Sequence, residues 1–132
     1  MHIETVKEMD NESLNIAIAE KCGWRLITDD PNRHPYWTNP DYMDGRMIAE
    51  EYAKHHLPSY TTDLNIIYEL EKKMSDLVFA KYIMVLINEY SRHEDIIYDD
   101  DRLSFESIRR ICNASCRERA EAVLFVMDSL CM

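Results

Sequence analysis

The sequence predicts a single domain that mixes helices with at least one short strand. Apolar residues recur at helical spacing behind capping residues in 10–22, 59–74 and 115–132. A run rich in aromatic and β-branched residues, WRLIT at 24–28, directly follows the first of these segments and is typical of a strand. A length of 132 residues suits one domain, 1–132, and a hydrophobic content of 46% is enough to bury a core.

The first predicted helix and strand have clear boundaries. Asp10 or Asn11 can cap the helix over 10–22, because a short acceptor side chain satisfies the open backbone N–H groups. Gly23 follows where a left-handed residue ends a helix at the least cost. The strand over 24–28 then stops at an Asp-Asp-Pro sequence, so a helix-turn-strand unit is expected here.

Residues 29–45 are predicted to form a stiff loop. It holds three of the four prolines and one of the two glycines of the chain. We predict that five residues of this loop bind a ligand: Arg33, His34, Tyr36, Trp37 and Tyr42. The rings of Tyr36 and Trp37 could stack on a base, while Arg33 and His34 donate to a phosphate or carboxylate. The alternative is that Tyr36 and Trp37 fold inward as a lid on the sheet.

A second candidate site lies at the start of the helix over 59–74. A short helix is expected over 46–56, and Pro58 interrupts it before Thr61 or Thr62 caps the next one. Helix N-termini attract phosphates, so four residues here are candidate ligand contacts: Tyr60, Thr61, Thr62 and Asn65. The alternative is a plain capped helix with Tyr60 packed on the preceding segment, which Asp63 near the N-terminus favours.

The second half of the chain is less clear from its pattern. Residues 75–90 are apolar enough for either a buried strand or a buried helix. Residues 91–102 read as a charged connector or a hairpin region, and 103–115 fit a strand or a helix. The final segment, 115–132, is a predicted helix with Ser115 as its cap.

Charge and hydropathy exclude several classes of function. The net charge of −10 opposes binding to nucleic acid and to anionic membranes. No apolar run reaches the roughly 18 residues that span a bilayer. The N-terminal residues MHIETVKEMD lack the cationic start and apolar stretch of a signal peptide, so we expect a cytoplasmic protein whose cysteines remain thiols.

No catalytic or metal-binding signature stands out. Two glycines cannot build a P-loop, a dinucleotide fingerprint or a nucleophile elbow. His55 and His56 are adjacent and point apart on a helix, and Cys112 and Cys116 have no further ligand near them in sequence. The three aspartates at 99–101 are typical of a solvated loop. We therefore predict no catalytic residues, no metal and no cofactor, and we do not expect an enzyme.

The charged and apolar residues near the C-terminus suggest two further contacts. Arg109, Arg110, Arg117 and Arg119 could meet phosphates or an acidic partner, but salt bridges with the many acidic residues are favoured. The apolar end of the chain, FVMDSLCM at 125–132, could pair with another subunit, so a homo-oligomer is expected.

Three stretches, taken together, resemble a known family. They are LNIAIAEKCGW at 14–24, LPSYTTDLNIIYELEKKM at 57–74 and NASCRERAEAVLFVM at 113–127. In this order and spacing they resemble the phage ABA-sandwich family over about residues 13–127. The resemblance implies an α+β fold in which a small, mainly antiparallel sheet is sandwiched by helices. It also implies strands within KYIMVLINEY and within 96–111.

The resemblance implies a context rather than a reaction, because the family has no established catalytic residues. Small acidic phage proteins are often binders of host signals or inhibitors of host proteins. We therefore predict a phage-encoded binding protein in the host cytoplasm that sequesters a small nucleotide immune signal. The alternative is an inhibitor that binds a host protein through its acidic surface.

Overall fold

The structure is a computed structural model that describes residues 1–40, 47–89 and 105–130. The described elements are α1 Ile3–Glu8, α2 Asn11–Lys21, β1 Arg25–Ile27, β2 Tyr36–Thr38, β3 Met47–Ala49, a 3-10 turn Glu50–Tyr52, α3 Ala53–His56, α4 Leu64–Lys73, α5 Asp76–Glu89, α6 Phe105–Asn113 and α7 Cys116–Leu130. The predicted α+β class is confirmed.

The strands form one small antiparallel sheet in the order β1-β2-β3. Leu26 pairs with Trp37, and Trp37 pairs with Ile48, so the three side chains share one face of the sheet. Trp37 and Ile48 are buried in the core, and Leu26 packs against it. This face joins the sheet to the helical core, whereas Tyr36 points to the opposite face.

Two strands lie where the sequence analysis expected other structure. β2 falls inside the predicted loop over 29–45, and β3 opens the segment 46–56 that was predicted to be a helix. Only Ala53–His56 of that segment is α-helical. Both strands are three residues long, and pairing with a neighbour selects such a strand more strongly than its own sequence does.

The two ambiguous segments are mainly helical in their described parts. Residues 76–89 form α5, and the Ser75 hydroxyl just before this helix accepts a hydrogen bond from the Val78 amide at 3.3 Å. Residues 105–113 form α6. The strands that the resemblance implied are therefore wrong for 81–89 and for 105–111. The predicted connector and the aspartates at 99–101 lie outside the described residues.

The helix caps follow the predictions with one exception. The Asp10 carboxylate accepts from the Ser13 amide at 2.7 Å, and this bond lowers the pKa of Asp10. Ser115 and Glu118 form a reciprocal capping box at the start of α7. The exception is α4, which Asp63 caps by accepting from the Asn65 amide, not Thr61 or Thr62. An unpredicted helix, α1, precedes α2.

Helix α7 is the centre of the core. It packs against α1, α2, α4 and α5. Its buried apolar residues are Ala120, Ala122, Val123, Leu124 and Val126. They share one hydrophobic cluster with Leu14 and Ile18 of α2 and with Tyr82 and Leu86 of α5. In the described parts of the chain, no helix is long and apolar enough to cross a membrane.

Arg117 ties the start of α7 to the N-terminal helices. Its Nε donates to Glu121 at 2.8 Å, and its Nη1 donates to the Asn11 side chain at 2.7 Å. Nη2 donates to the carbonyl of Met9. One guanidinium therefore satisfies a carboxylate on its own helix and the open backbone between α1 and α2.

Arg119 ties α7 to the second half of the molecule. Its Nη1 donates to Glu71 of α4 at 3.0 Å, and Tyr82 of α5 donates its hydroxyl to the same carboxylate oxygen at 2.6 Å. Nη2 donates to the carbonyl of Ile111 in α6. The guanidinium also lies 5.6 Å from the ring centre of Tyr68. Four helices therefore meet at one guanidinium.

The protonation states in this network are fixed by burial and neighbouring charge. Burial, followed by Glu71, raises the pKa of the Tyr82 hydroxyl far above its ordinary value, so Tyr82 remains a donor. Burial acts to lower the pKa of Arg119, but Tyr82 and Glu71 outweigh it and raise that pKa. Tyr82 therefore stays protonated and Arg119 stays charged at neutral pH.

We expect Arg119→Ala to lower the free energy of unfolding by about 3 kcal/mol, because it leaves the partly buried Glu71 carboxylate without a cation. Tyr82→Phe removes one donor and keeps the ion pair, so its cost is about 1 kcal/mol. Lys72→Ala is the control: it breaks an exposed pair with Glu69 and costs less than about 0.5 kcal/mol. Urea denaturation measures all three, and equal values for Arg119→Ala and Lys72→Ala contradict the assignment.

Candidate ligand-binding groove

An open groove of about 1110 Å³ lies between α4 and the elements around it. Its walls come from the turn after α2, the end of β2, residues 56–60, α4, the start of α5 and the last two turns of α7. Its apolar side is formed by Ile66, Leu70, Met74, Val78, Met127 and Leu130. Its volume slightly exceeds the roughly 300 to 1,000 Å³ that is typical of small-molecule sites.

The turn after α2 places Cys22 and Trp24 in the groove wall. Gly23 has a φ of 98°, which its missing Cβ allows. The Gly23 and Trp24 amides donate to the Glu20 and Ala19 carbonyls, and together these bonds form a Schellman motif. Trp24 is only 2% exposed, so it anchors the wall in the core. This matches the predicted helix-turn-strand unit.

The segment before α4 is anchored from two sides. The Thr61 amide donates to the Asn15 side chain of α2 at 3.0 Å. The Cys116 thiol of α7 donates to the Tyr60 carbonyl at 3.2 Å. Tyr60 is buried in the hydrophobic cluster and also lines the groove. The floor of the groove is therefore fixed before any ligand binds.

The groove has one cation with no ionic partner among the described residues. Its two carboxylates are both engaged: Asp63 accepts from the Asn65 amide, and Glu69 pairs with Lys72 at 3.0 Å. Lys73 lines the same groove and makes no salt bridge to any residue in 1–40, 47–89 or 105–130. The unsatisfied charge in the groove is therefore positive, although the whole chain is strongly acidic.

Trp37 adopts the inward alternative of the two that the sequence left open. Its side chain is 5% exposed and belongs to the core. Tyr36, on the other face of β2, is half-buried and donates its hydroxyl to Asp30 at 3.4 Å. The Arg33 guanidinium lies 5.9 Å from the Tyr36 ring centre, and its Nη1 donates to the Met47 sulfur. Among the described candidate residues of the loop, Arg33 and Tyr36 are thus in contact with each other.

The other predicted residues divide between the groove and its surroundings. Tyr60 and Asn65 line the groove. Thr61 is 4% exposed and its hydroxyl has no hydrogen-bond partner in the described structure, while the Thr62 hydroxyl lies 2.5 Å from that of Ser59. His34 is exposed on the loop. Tyr42 lies outside the described residues.

Several groove residues were missed by the sequence analysis. Cys22, Asn39 and Lys73 line it but come from three separate segments. The Asn39 amide donates to the Cys22 carbonyl at 3.3 Å, which connects the end of β2 to the turn after α2. No local pattern brings these segments together.

The cysteine in the groove is a poor nucleophile. Burial raises the pKa of the Cys22 thiol, and the opposing effects of a hydrogen bond with Tyr60 and the charge of Lys73 are smaller. Burial also raises the pKa of Cys116. Thiolates are the reactive form, so both side chains favour packing over covalent chemistry near neutral pH. Within the described ranges, no group of three or more His, Cys, Asp or Glu side chains is arranged to hold a metal ion.

No family model, curated protein or solved structure matches this chain. The resemblance to the phage ABA-sandwich family therefore stays a prediction.

We expect iodoacetamide to modify Cys22 more slowly than the exposed Cys112 at pH 7 to 8. The rate at Cys22 should keep rising as the pH passes above the ordinary range of thiols, because burial raises its pKa. Peptide mass spectrometry after timed alkylation measures both sites in one sample. A rate at Cys22 that equals the rate at Cys112 throughout contradicts the placement of Cys22.

Proposed function

We propose that this chain is a non-catalytic binding protein that holds a small nucleotide in the groove between α4 and α7. The observation that carries the proposal is Lys73, which makes no salt bridge with a described residue and lines a groove that Trp24 and Tyr60 also line. A cation of this kind suits an anionic group, and a lining of rings and aliphatic side chains suits a flat, weakly polar body.

The polar groups in the groove support binding more than chemistry. The Asn65 side chain is exposed at the groove and makes no hydrogen bond with a described residue, so it can donate to and accept from a base or a ribose. Asp63 caps α4 and Glu69 is paired, so neither carboxylate is placed as a general base. The protonated Cys22 thiol completes a wall without an activated group.

The biological part of the proposal comes from the resemblance to phage proteins. A phage protein that captured a host nucleotide signal would weaken an immune response by sequestering the nucleotide without cleaving it. We propose this anti-defence role, in the host cytoplasm, for the groove. We include a homo-oligomer in the proposal, since Leu130 presents an apolar side chain at the end of α7.

A second candidate function is inhibition of a host protein. The net charge of −10 suits a basic partner surface, and α4 and α5 expose Tyr68, Leu77 and Phe79. A pull-down from host lysate that enriches one protein, and retains it at moderate salt, would favour this function over nucleotide binding.

We expect calorimetric titration with cyclic nucleotides and ADP-ribose-type nucleotides to detect binding to the groove. Asn65→Ala should weaken binding about 3- to 10-fold, because one ligand hydrogen bond is lost. Asn88→Ala is the matched control, since Asn88 is exposed on α5 outside the groove. Bound nucleotide should also shield Cys22, and not Cys112, from alkylation.

If none of the nucleotides gives a binding signal by calorimetry, while circular dichroism shows that the protein is folded, the proposal is overturned. Binding that is indifferent to Asn65→Ala and leaves Cys22 unshielded would place the ligand elsewhere. A co-purified small molecule, released by heat and identified by its mass, would name the ligand directly.

A further inference from the structure

The charges that line the groove limit the kind of nucleotide it can take. Four lining residues have acidic or basic side chains: His56, Asp63, Glu69 and Lys73. Lys73 supplies one positive charge, whereas Asp63 and Glu69 supply two negative ones. His56 is exposed at the groove beside Tyr52, with 6.1 Å between the ring centres. A ligand therefore finds one lysine and two carboxylates, of which Glu69 is partly neutralised by its exposed pair with Lys72.

Lys73, Cys22 and Tyr60 line the same groove and come from the end of α4, the turn after α2 and the segment before α4. The charge of Lys73 acts to lower the pKa of the Cys22 thiol, against the larger effect of burial. The base of a nucleotide whose phosphate lies at Lys73 would extend along the apolar side formed by Leu70, Met74 and their neighbours.

We propose that the groove selects a nucleotide with a single negative charge, as in a cyclic mononucleotide, with its phosphodiester at Lys73. This inference rests on the proposed function and specifies its ligand class. The first negative charge of the ligand can pair with Lys73. A second negative charge finds no other lysine or arginine among the described residues that line the groove, and the Asp63 or Glu69 carboxylate repels it. The groove volume would admit a larger ligand, so charge, not size, makes the selection.

The selection can be tested by varying the charge while the base is kept constant. Adenosine is uncharged, cyclic AMP carries a single negative charge, AMP and ADP-ribose both carry about two, and ATP carries about four near neutral pH, and matched series exist for the other bases. We expect the cyclic form to bind roughly tenfold more tightly than the nucleoside and than the more highly charged members, as measured by calorimetry at fixed ionic strength. The base that binds best is read from the same titrations.

Two variants tie the preference to the named charges. Lys73→Gln should reduce the affinity for the cyclic form to that of the nucleoside, because it removes the single cation. Glu69→Gln should reduce the difference in affinity between cyclic AMP and ADP-ribose, because removal of one carboxylate strengthens the binding of ADP-ribose. Lys81→Gln is the control, since Lys81 is an exposed lysine of α5 that lies outside the groove.

The outcomes separate this inference from the proposed function. Tighter binding of ADP-ribose or ATP than of the cyclic form, or a preference that survives Lys73→Gln, overturns the single-charge selection and leaves nucleotide binding standing. No binding of any member to the folded protein overturns both. Shielding of Cys22 from alkylation by cyclic AMP confirms that the measured site is the groove.

Discussion

The ion pair between Arg119 and Glu71, with Tyr82 as its third member, holds the molecule in its observed arrangement. Helix α4 buries Ile67 completely and packs Ile66 and Leu70 against the core, which are non-directional contacts. The partly buried Glu71 carboxylate adds a directional constraint, because it must face the guanidinium to be satisfied. This constraint favours the same rotation of α4 as the apolar contacts do, and in that rotation Lys73 lines the groove.

The acidic chain uses its arginines and lysines unequally. Arg117 and Arg119 make their hydrogen bonds inside the fold, where a planar guanidinium can satisfy several acceptors at once. Lys72 is neutralised by Glu69 on the surface. Lys73, one residue further, has no ionic partner among the described residues and lines the groove. In a protein of net charge −10, such a cation is the feature most suited to recognising an anion.

The sequence predicted what local chemistry decides. Asp10 and Ser115 marked helix starts correctly, since caps and apolar periodicity act within a few residues. Strands β2 and β3 were missed because pairing across the sheet, not the three residues of each, selects them. The groove was only partly predictable. Tyr60 and Asn65 were found beside a readable helix start, whereas Lys73 reaches the site through the packing of α4.

The central position of α7 has a consequence for how the chain folds. Arg117 bonds to Asn11 across 106 residues, so the N-terminal helices meet this packing partner only after the chain between them has been synthesised. Until α7 emerges from the ribosome, α1 and α2 lack the helix against which they make their main contacts. Folding should therefore proceed after translation of this helix, and the unfinished chain presents a substrate for chaperones.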